Sequence, residues 1–94
     1  MSIIDVLPVG KENAIPAGDL AEALGIDERL LRKTVERERR NGALILSCSG
    51  DRGGYYRHKD VGELIEFYNH MKHRAETTLA CIEAVRAAIE EGEE

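Results

Sequence analysis

The stretch LAEALGIDERLLRKTVERERRNGALILSCSGDRGGYYR, residues 20–57, decides the fold of this chain. Its first part carries apolar residues at helical spacing up to Gly25, and glycine is the residue that most easily adopts the left-handed backbone of a helix end. Asp27 follows as a good N-cap for the next helix, which we place at about 28–41. The pattern therefore predicts two helices joined by a tight turn.

The remainder of the stretch predicts a two-stranded ribbon. Apolar residues 44–48, bounded by glycine, indicate one strand, and residues 55–57 indicate the returning strand. The glycine-rich segment 50–54 between them is typical of a hairpin loop. Because an isolated hairpin is only marginally stable, we expect it to pack on the helices.

Shorter elements precede this stretch and one long helix follows it. Residues 2–7 predict a short first helix, residues 16–24 a second, and Ile15 an extended position because Pro16 follows it. Beyond the ribbon, Asp60 and Glu63 resemble a capping box. The expected fold is mostly α with a small β-hairpin: a winged helix-turn-helix domain over 1–59, a long C-terminal helix over 60–92 and a frayed tail at 93–94.

Composition limits the class of protein. Ninety-four residues allow one compact domain and little more. No apolar run approaches the roughly 18 residues of a membrane helix, and the first residues do not resemble a secretory signal. Cys48 and Cys81 show no pairing pattern, which predicts reduced thiols in a cytoplasmic protein.

The net charge of −5 is unevenly distributed. Residues 1–60 hold ten basic and ten acidic side chains, whereas residues 61–94 hold three basic and eight acidic ones. Residues 29–40 contain six basic side chains and only two carboxylates. A clustered basic helix in an otherwise acidic chain is compatible with nucleic-acid binding, although a solvated charged helix is the ordinary alternative.

The central segment resembles the winged helix-turn-helix family, of the kind found in the biotin repressor and the deoxyribonucleoside-type repressors. The matching residues are Leu20-Ala21-Glu22, Leu24-Gly25-Ile26, Arg29, Leu31, Arg32-Lys33, Val35, Gly42 and the run from Ile45 through Ser47 and Gly50 to Gly53-Gly54-Tyr55. The segment is also similar to small winged-helix proteins carried by phages and prophages of Gram-positive bacteria. Glu38 departs from the pattern, because the family usually places a leucine there.

The resemblance implies binding to double-stranded DNA, with the helix at 28–41 in the major groove and the wing at 44–57 on the backbone or in the minor groove. Arginine suits this role because it reads guanine through two hydrogen bonds, and a glutamate near the helix start can accept from cytosine. The candidate DNA-binding residues are Glu28, Arg29, Arg32, Lys33, Arg37, Arg40, Arg52, Arg57 and Lys59.

The long helix carries an apolar heptad pattern, which predicts self-association. Its flanking positions lack the complementary charges of a parallel zipper, so antiparallel pairing and bundles of more than two helices stay open. A break near residues 71–74, folding the helix back on its own domain, is the alternative. The candidate dimerisation residues are Tyr68, Met71, Ala75, Thr78, Leu79, Ile82, Val85 and Ile89.

Other chemistry finds little support. His70 and His73 lie three residues apart, but no spacing suits a set of zinc ligands, so we predict no metal and no cofactor. No catalytic arrangement occurs in recognisable context, which predicts that the chain is not an enzyme. The sequence therefore favours a homodimeric, sequence-specific DNA-binding protein, either a transcriptional regulator or a phage control or replication protein. The alternative is a winged helix that binds another protein and not DNA.

Overall fold

The fold was analysed in a computed structural model that describes residues 2–50 and 53–92. Within these residues three α-helices accompany one antiparallel hairpin, which confirms the expected winged helix followed by a long C-terminal helix. The elements are α1 (Ala17–Leu24), α2 (Glu28–Arg40), β1 (Leu46–Cys48), β2 (Gly54–Tyr56) and α3 (Val61–Glu90).

The turn between α1 and α2 forms as its residues predict. Gly25 adopts the left-handed conformation with φ of 71°, and its N–H donates to the carbonyl of Glu22 at 3.1 Å. Asp27 caps α2, because its carboxylate accepts from the N–H of Leu30 at 2.7 Å. The turn and the cap together fix where α2 begins.

The hairpin is held to the segment before α1. In the hairpin Leu46 pairs with Tyr56 and Ser47 with Tyr55. On the other edge of β2, Ile15 and Tyr55 exchange two backbone hydrogen bonds of 2.9 Å, as the extended position before Pro16 predicted. This backbone pairing with Ile15 gives the hairpin the additional support that an isolated two-stranded ribbon lacks.

A small aliphatic core joins these elements. Leu20 and Ala21 of α1 pack with Leu31 and Val35 of α2, and Ile45 closes the cluster from the start of the wing. Burying each of the larger side chains contributes about 1.5–3 kcal/mol. The other members of the core are Ile3 and Leu7 from the N-terminal segment.

Several boundaries differ from the prediction. Residues 2–7, expected as a short helix, form a 3₁₀ turn over Ile3–Val6, because four residues give no room for α-helical hydrogen bonding to become cooperative. The expected helix 28–41 ends at Arg40, with Asn41 as its C-cap. The first strand begins at Leu46 instead of residue 44, and Leu44 is half exposed.

The start of α3 forms half of the expected capping box. Asp60 accepts from the N–H of Glu63 at 3.0 Å. The carboxylate of Glu63 does not return to Asp60; it accepts from the N–H of Lys59 at 3.0 Å and of Lys11 at 2.9 Å. The helix then continues without interruption to Glu90, so the break proposed near residues 71–74 is wrong. The chain divides into two compact units, one ending at Leu64 and one beginning at Ile65.

Candidate nucleic-acid interface

One narrow edge of α2 anchors the helix and leaves most of the rest of its surface in solvent. Leu31 and Val35 are buried in the core. Leu30, the residue before Leu31, is 49% exposed and lies on the outer surface. A helix fixed by such a thin edge presents most of its circumference to a partner.

Three cations on this outer surface form a free stripe. Arg29, Lys33 and Arg37 follow one another at four-residue steps and are exposed. Within the part of the chain that the structure describes, none of the three side chains makes a hydrogen bond or an ion pair. Their charges are therefore available to an anionic partner.

Two further cations of α2 are paired along the helix. Arg32 lies 3.8 Å from the carboxylate of Glu28, and Arg40 lies 3.9 Å from that of Glu36. Both pairs are well exposed, and solvent-exposed pairs at this spacing contribute only about 0.3–0.5 kcal/mol. An incoming phosphate or base can displace them at little cost.

Arg39, which the sequence analysis did not select, ties α2 to the wing. It is half-buried, and its Nε donates to the carbonyl of Ile45 at 2.8 Å while its terminal nitrogen reaches the hydroxyl of Ser47 at 3.2 Å. A signal was present in the sequence, because Arg39 lies four residues after Val35 and continues the buried stripe of Leu31 and Val35.

Glu38 has a structural partner that explains its departure from the family pattern. Its two carboxylate oxygens accept from the backbone N–H of Ile3 at 2.9 and 3.2 Å. The residue is only partly buried, so the charge keeps some contact with water. A carboxylate at this position therefore holds the N-terminal segment against the end of α2.

The base of the wing shares a surface with α2. An open cleft of about 280 Å³ is lined by Arg32 together with Ser47, Ser49 and Gly50 of the hairpin. Gly54 admits no side chain, because a Cβ there would collide with the backbone of Ile15. The wing residue selected from the sequence, Arg52, lies outside the described residues, as does Asp51 beside it.

The two cations after the wing take part in local contacts. Arg57 is half-buried and its Nε donates to the carbonyl of Leu7 at 3.0 Å. Lys59 lies 3.3 Å from the carboxylate of Glu12, which raises the pKa of the lysine above its ordinary value. The structure thus places Arg57 and Lys59 in contacts within the chain, unlike the free stripe of Arg29, Lys33 and Arg37.

Two other kinds of site were considered. Among residues 2–50 and 53–92, no group of three His, Cys, Asp or Glu side chains is arranged to hold a metal ion. No helix of the described chain is long and apolar enough to cross a membrane.

Comparison with known proteins finds similarity over most of the chain. It is 34% identical over 64 residues to an HTH-type transcriptional regulator IscR from Photorhabdus laumondii, covering 68% of this chain and 38% of the relative. It is 35% identical over 63 residues to an HTH-type transcriptional regulator IscR from Serratia proteamaculans, covering 67% of this chain and 38% of that protein. No family model and no solved structure matches. Over about two thirds of its own length, and over little more than a third of theirs, the chain is thus similar to helix-turn-helix-type transcriptional regulators.

Proposed function

We propose that this chain is a sequence-specific DNA-binding transcriptional regulator of the cytoplasm that acts as a homodimer. The observation that carries the proposal is the free cationic stripe of Arg29, Lys33 and Arg37 on a helix that follows a helix-turn-helix turn. The similarity to two HTH-type transcriptional regulators supports the same class of function.

In this proposal α2 lies in the major groove. The groove is about 12 Å wide and accepts one helix, whose arginines can each donate two hydrogen bonds to guanine. Glu28 at the start of α2 is suited to accept from cytosine, and the half-exposed Leu30 can contact a thymine methyl group. The cleft at Arg32, Ser47 and Ser49 supports a phosphate contact beside the groove. Arg40, Arg52, Arg57 and Lys59 stay candidates for contacts to the DNA backbone.

Self-association through α3 is the second part of the proposal. No described residue of α3 is buried, although the helix carries eight residues at heptad positions. Ile82 is 53% exposed and Ile89 is 70% exposed. A contiguous apolar face of this length marks an interaction site on a soluble domain. Two copies joined in this way would read two half-sites of a pseudo-palindrome. The phage-type role considered from the sequence stays a prediction.

The alternative is that the same surface binds another protein. The net charge of −5 and the apolar Leu30 within the cationic surface favour this second function. Salt separates the two, because DNA binding releases one condensed counterion for nearly every phosphate that is neutralised. Binding that barely changes with salt would favour a protein partner.

The test removes two free cations, Lys33→Ala with Arg37→Ala, and uses Ala87→Asp on the outer face of α3 as the control for a change in net charge. A duplex selected from a random pool by the full chain serves as the probe, and fluorescence anisotropy measures the affinity between 50 and 300 mM KCl, values chosen to span about a sixfold range. We expect the double variant to lose about 10- to 100-fold in affinity. Its salt slope should fall by about 0.9 for each phosphate contact removed.

The control variant should bind the selected duplex as the wild type does. If the double variant also binds with wild-type affinity and salt slope, the assignment of α2 to the major groove is wrong.

A further inference from the structure

The second half of α3 has a wide apolar face without a partner. Ile82, Val85 and Ile89 lie on one side and are each more than half exposed. Leu79, 58% exposed, broadens this side. Leaving such a face in water is costly, at about 25 cal/mol per Å² of apolar surface. We therefore expect a partner of matching shape and charge to cover this face.

The distribution of charged side chains along α3 indicates which partner this is. Residues 67–75 include Lys72 and Arg74 and contain no carboxylate. Residues 83–94 contain five carboxylates and Arg86 as their only cation. Two copies in parallel would place like charges together at both ends of the pair, whereas two antiparallel copies place unlike charges together. Charge complementarity therefore favours a second copy of this helix in the opposite direction.

We propose that two copies of the chain pair through α3 in antiparallel orientation, centred near residue 80. This inference rests on the self-association in the proposed function and adds its direction and register. At this centre the heptad positions of the two copies meet with complementary sizes. The facing pairs are Ile82 with Thr78, Val85 with Ala75 and Ile89 with Met71.

The same register brings the cationic segment of one helix beside the acidic end of the other. Lys72 and Arg74 of one copy lie beside residues 83–91 of the other copy, which hold Glu83, Glu90 and Glu91. Arg74 then lies opposite Arg86, which is paired with Glu83 at 3.7 Å in its own helix. Together these six side chains hold three positive and three negative charges. In a parallel pair the acidic ends of the two helices would instead lie side by side.

The antiparallel direction has a consequence for DNA binding. At 1.5 Å per residue, the two copies of Ile65 lie about 45 Å apart along the helix axis. The two winged units then attach at opposite ends of the helix pair. In a parallel pair both units would attach at the same end.

Disulfide trapping in the full chain tests the orientation. With Cys48→Ser and Cys81→Ser as background, Ala75→Cys chains are mixed with Val85→Cys chains of different tag length, unfolded, refolded together and oxidised. A disulfide requires Cα atoms within about 7 Å. In the proposed pair residue 75 faces residue 85, while the two copies of residue 75 are about 15 Å apart. We expect the crossed disulfide to exceed either like disulfide by about tenfold, a ratio that follows from this distance limit.

The contrary results differ in what they exclude. Like disulfides in both variants, 75 with 75 and 85 with 85, overturn the antiparallel direction. A like disulfide in only one variant, or a dimer that forms no disulfide, overturns the register. A monomeric mass by light scattering at micromolar concentration overturns pairing altogether. Anisotropy with the selected duplex on the same variants keeps these results separate from the DNA-binding proposal, because α2 is unchanged in all of them.

Discussion

Glu38 and Arg39 are consecutive residues of α2 that fix two different parts of the chain. Glu38 accepts from the N–H of Ile3, and Arg39 donates to the carbonyl of Ile45. Because these bonds leave the same helix turn in different directions, the end of α2 cannot shift without losing one of them. The position of the free cations relative to the wing therefore depends on two residues that we expect to make no DNA contact themselves.

Substitutions of the neighbouring residues Arg39 and Arg40 form a matched pair that tests the role of Arg39. Arg39→Gln removes charge-assisted hydrogen bonds to Ile45 and Ser47, which are worth about 1–3 kcal/mol of unfolding free energy. Arg40→Gln removes only an exposed ion pair with Glu36 and should change stability by less than about 0.5 kcal/mol. Urea unfolding followed by circular dichroism measures both. Equal stabilities of the two variants would show that Arg39 does not hold the wing.

The sequence pattern predicted the roles of those residues whose contacts are local. Gly25 and Asp27 act on neighbours within five positions, so their spacing alone predicts the turn and the cap. The partner of Glu38 is 35 positions away in sequence. A contact across that distance depends on the packing of the N-terminal segment, which no local pattern records. The sequence therefore marked Glu38 as unusual without indicating its role.

At the scale of elements, Glu63 joins the start of α3 to two other segments. Hydrogen bonds from the backbone N–H groups of Lys11 and Lys59 lower the pKa of its carboxyl below the ordinary value of 4.5. The charged form is therefore favoured in the folded state. The resulting stability is present above about pH 4.5 and is lost as the pH falls through the lower pKa of the folded state.

We expect Glu63→Gln to lower the melting temperature at pH 7 and to lower it by less at pH 3. The effect should be small because the site is exposed and solvent screens the charge. Glu76→Gln, at an exposed position in the middle of α3, serves as the control for the removal of one carboxylate. Melting curves from pH 3 to pH 8 measure the difference. A loss that stays constant over this range would mean that Glu63 acts through packing and not through its charge.

The types and order of the elements followed from sequence patterns, whereas their lengths did not. The apolar run 44–48 predicted a strand, but only Leu46–Cys48 pairs, because β2 offers only three pairing positions. Residues 2–7 predicted a short helix and form a shorter 3₁₀ turn, and Ile3 and Leu7 of this segment enter the core. Pairing and packing set these limits, and both are properties of the folded chain. The cationic residues of α2 could be selected from the sequence, but which of them are free could not.

Over the whole molecule, charge and apolar surface are separated along the chain. The free cations lie on α2, whereas residues 61–94 hold most of the exposed aliphatic side chains and carry a net charge of −5. This separation resolves the apparent conflict between a net charge of −5 and DNA binding.

The link between pairing and DNA affinity is tested by Ile82→Asp. A carboxylate at this heptad position would be buried in the helix pair, so we expect the chain to become monomeric at micromolar concentration. Ala87→Asp adds the same charge on the outer face of α3 and should leave the mass of the dimer unchanged. Light scattering measures both masses.

The DNA result follows from effective concentration. Two linked winged units bind a site with two half-sites more tightly than one unit does, by on the order of 100-fold or more. Ile82→Asp should lose this advantage on the two-half-site duplex and keep wild-type affinity for a duplex with one half-site, because α2 is untouched. Ala87→Asp should bind both duplexes as the wild type does. If Ile82→Asp is monomeric and still binds the longer duplex at full strength, recognition of DNA by this chain does not depend on pairing through α3.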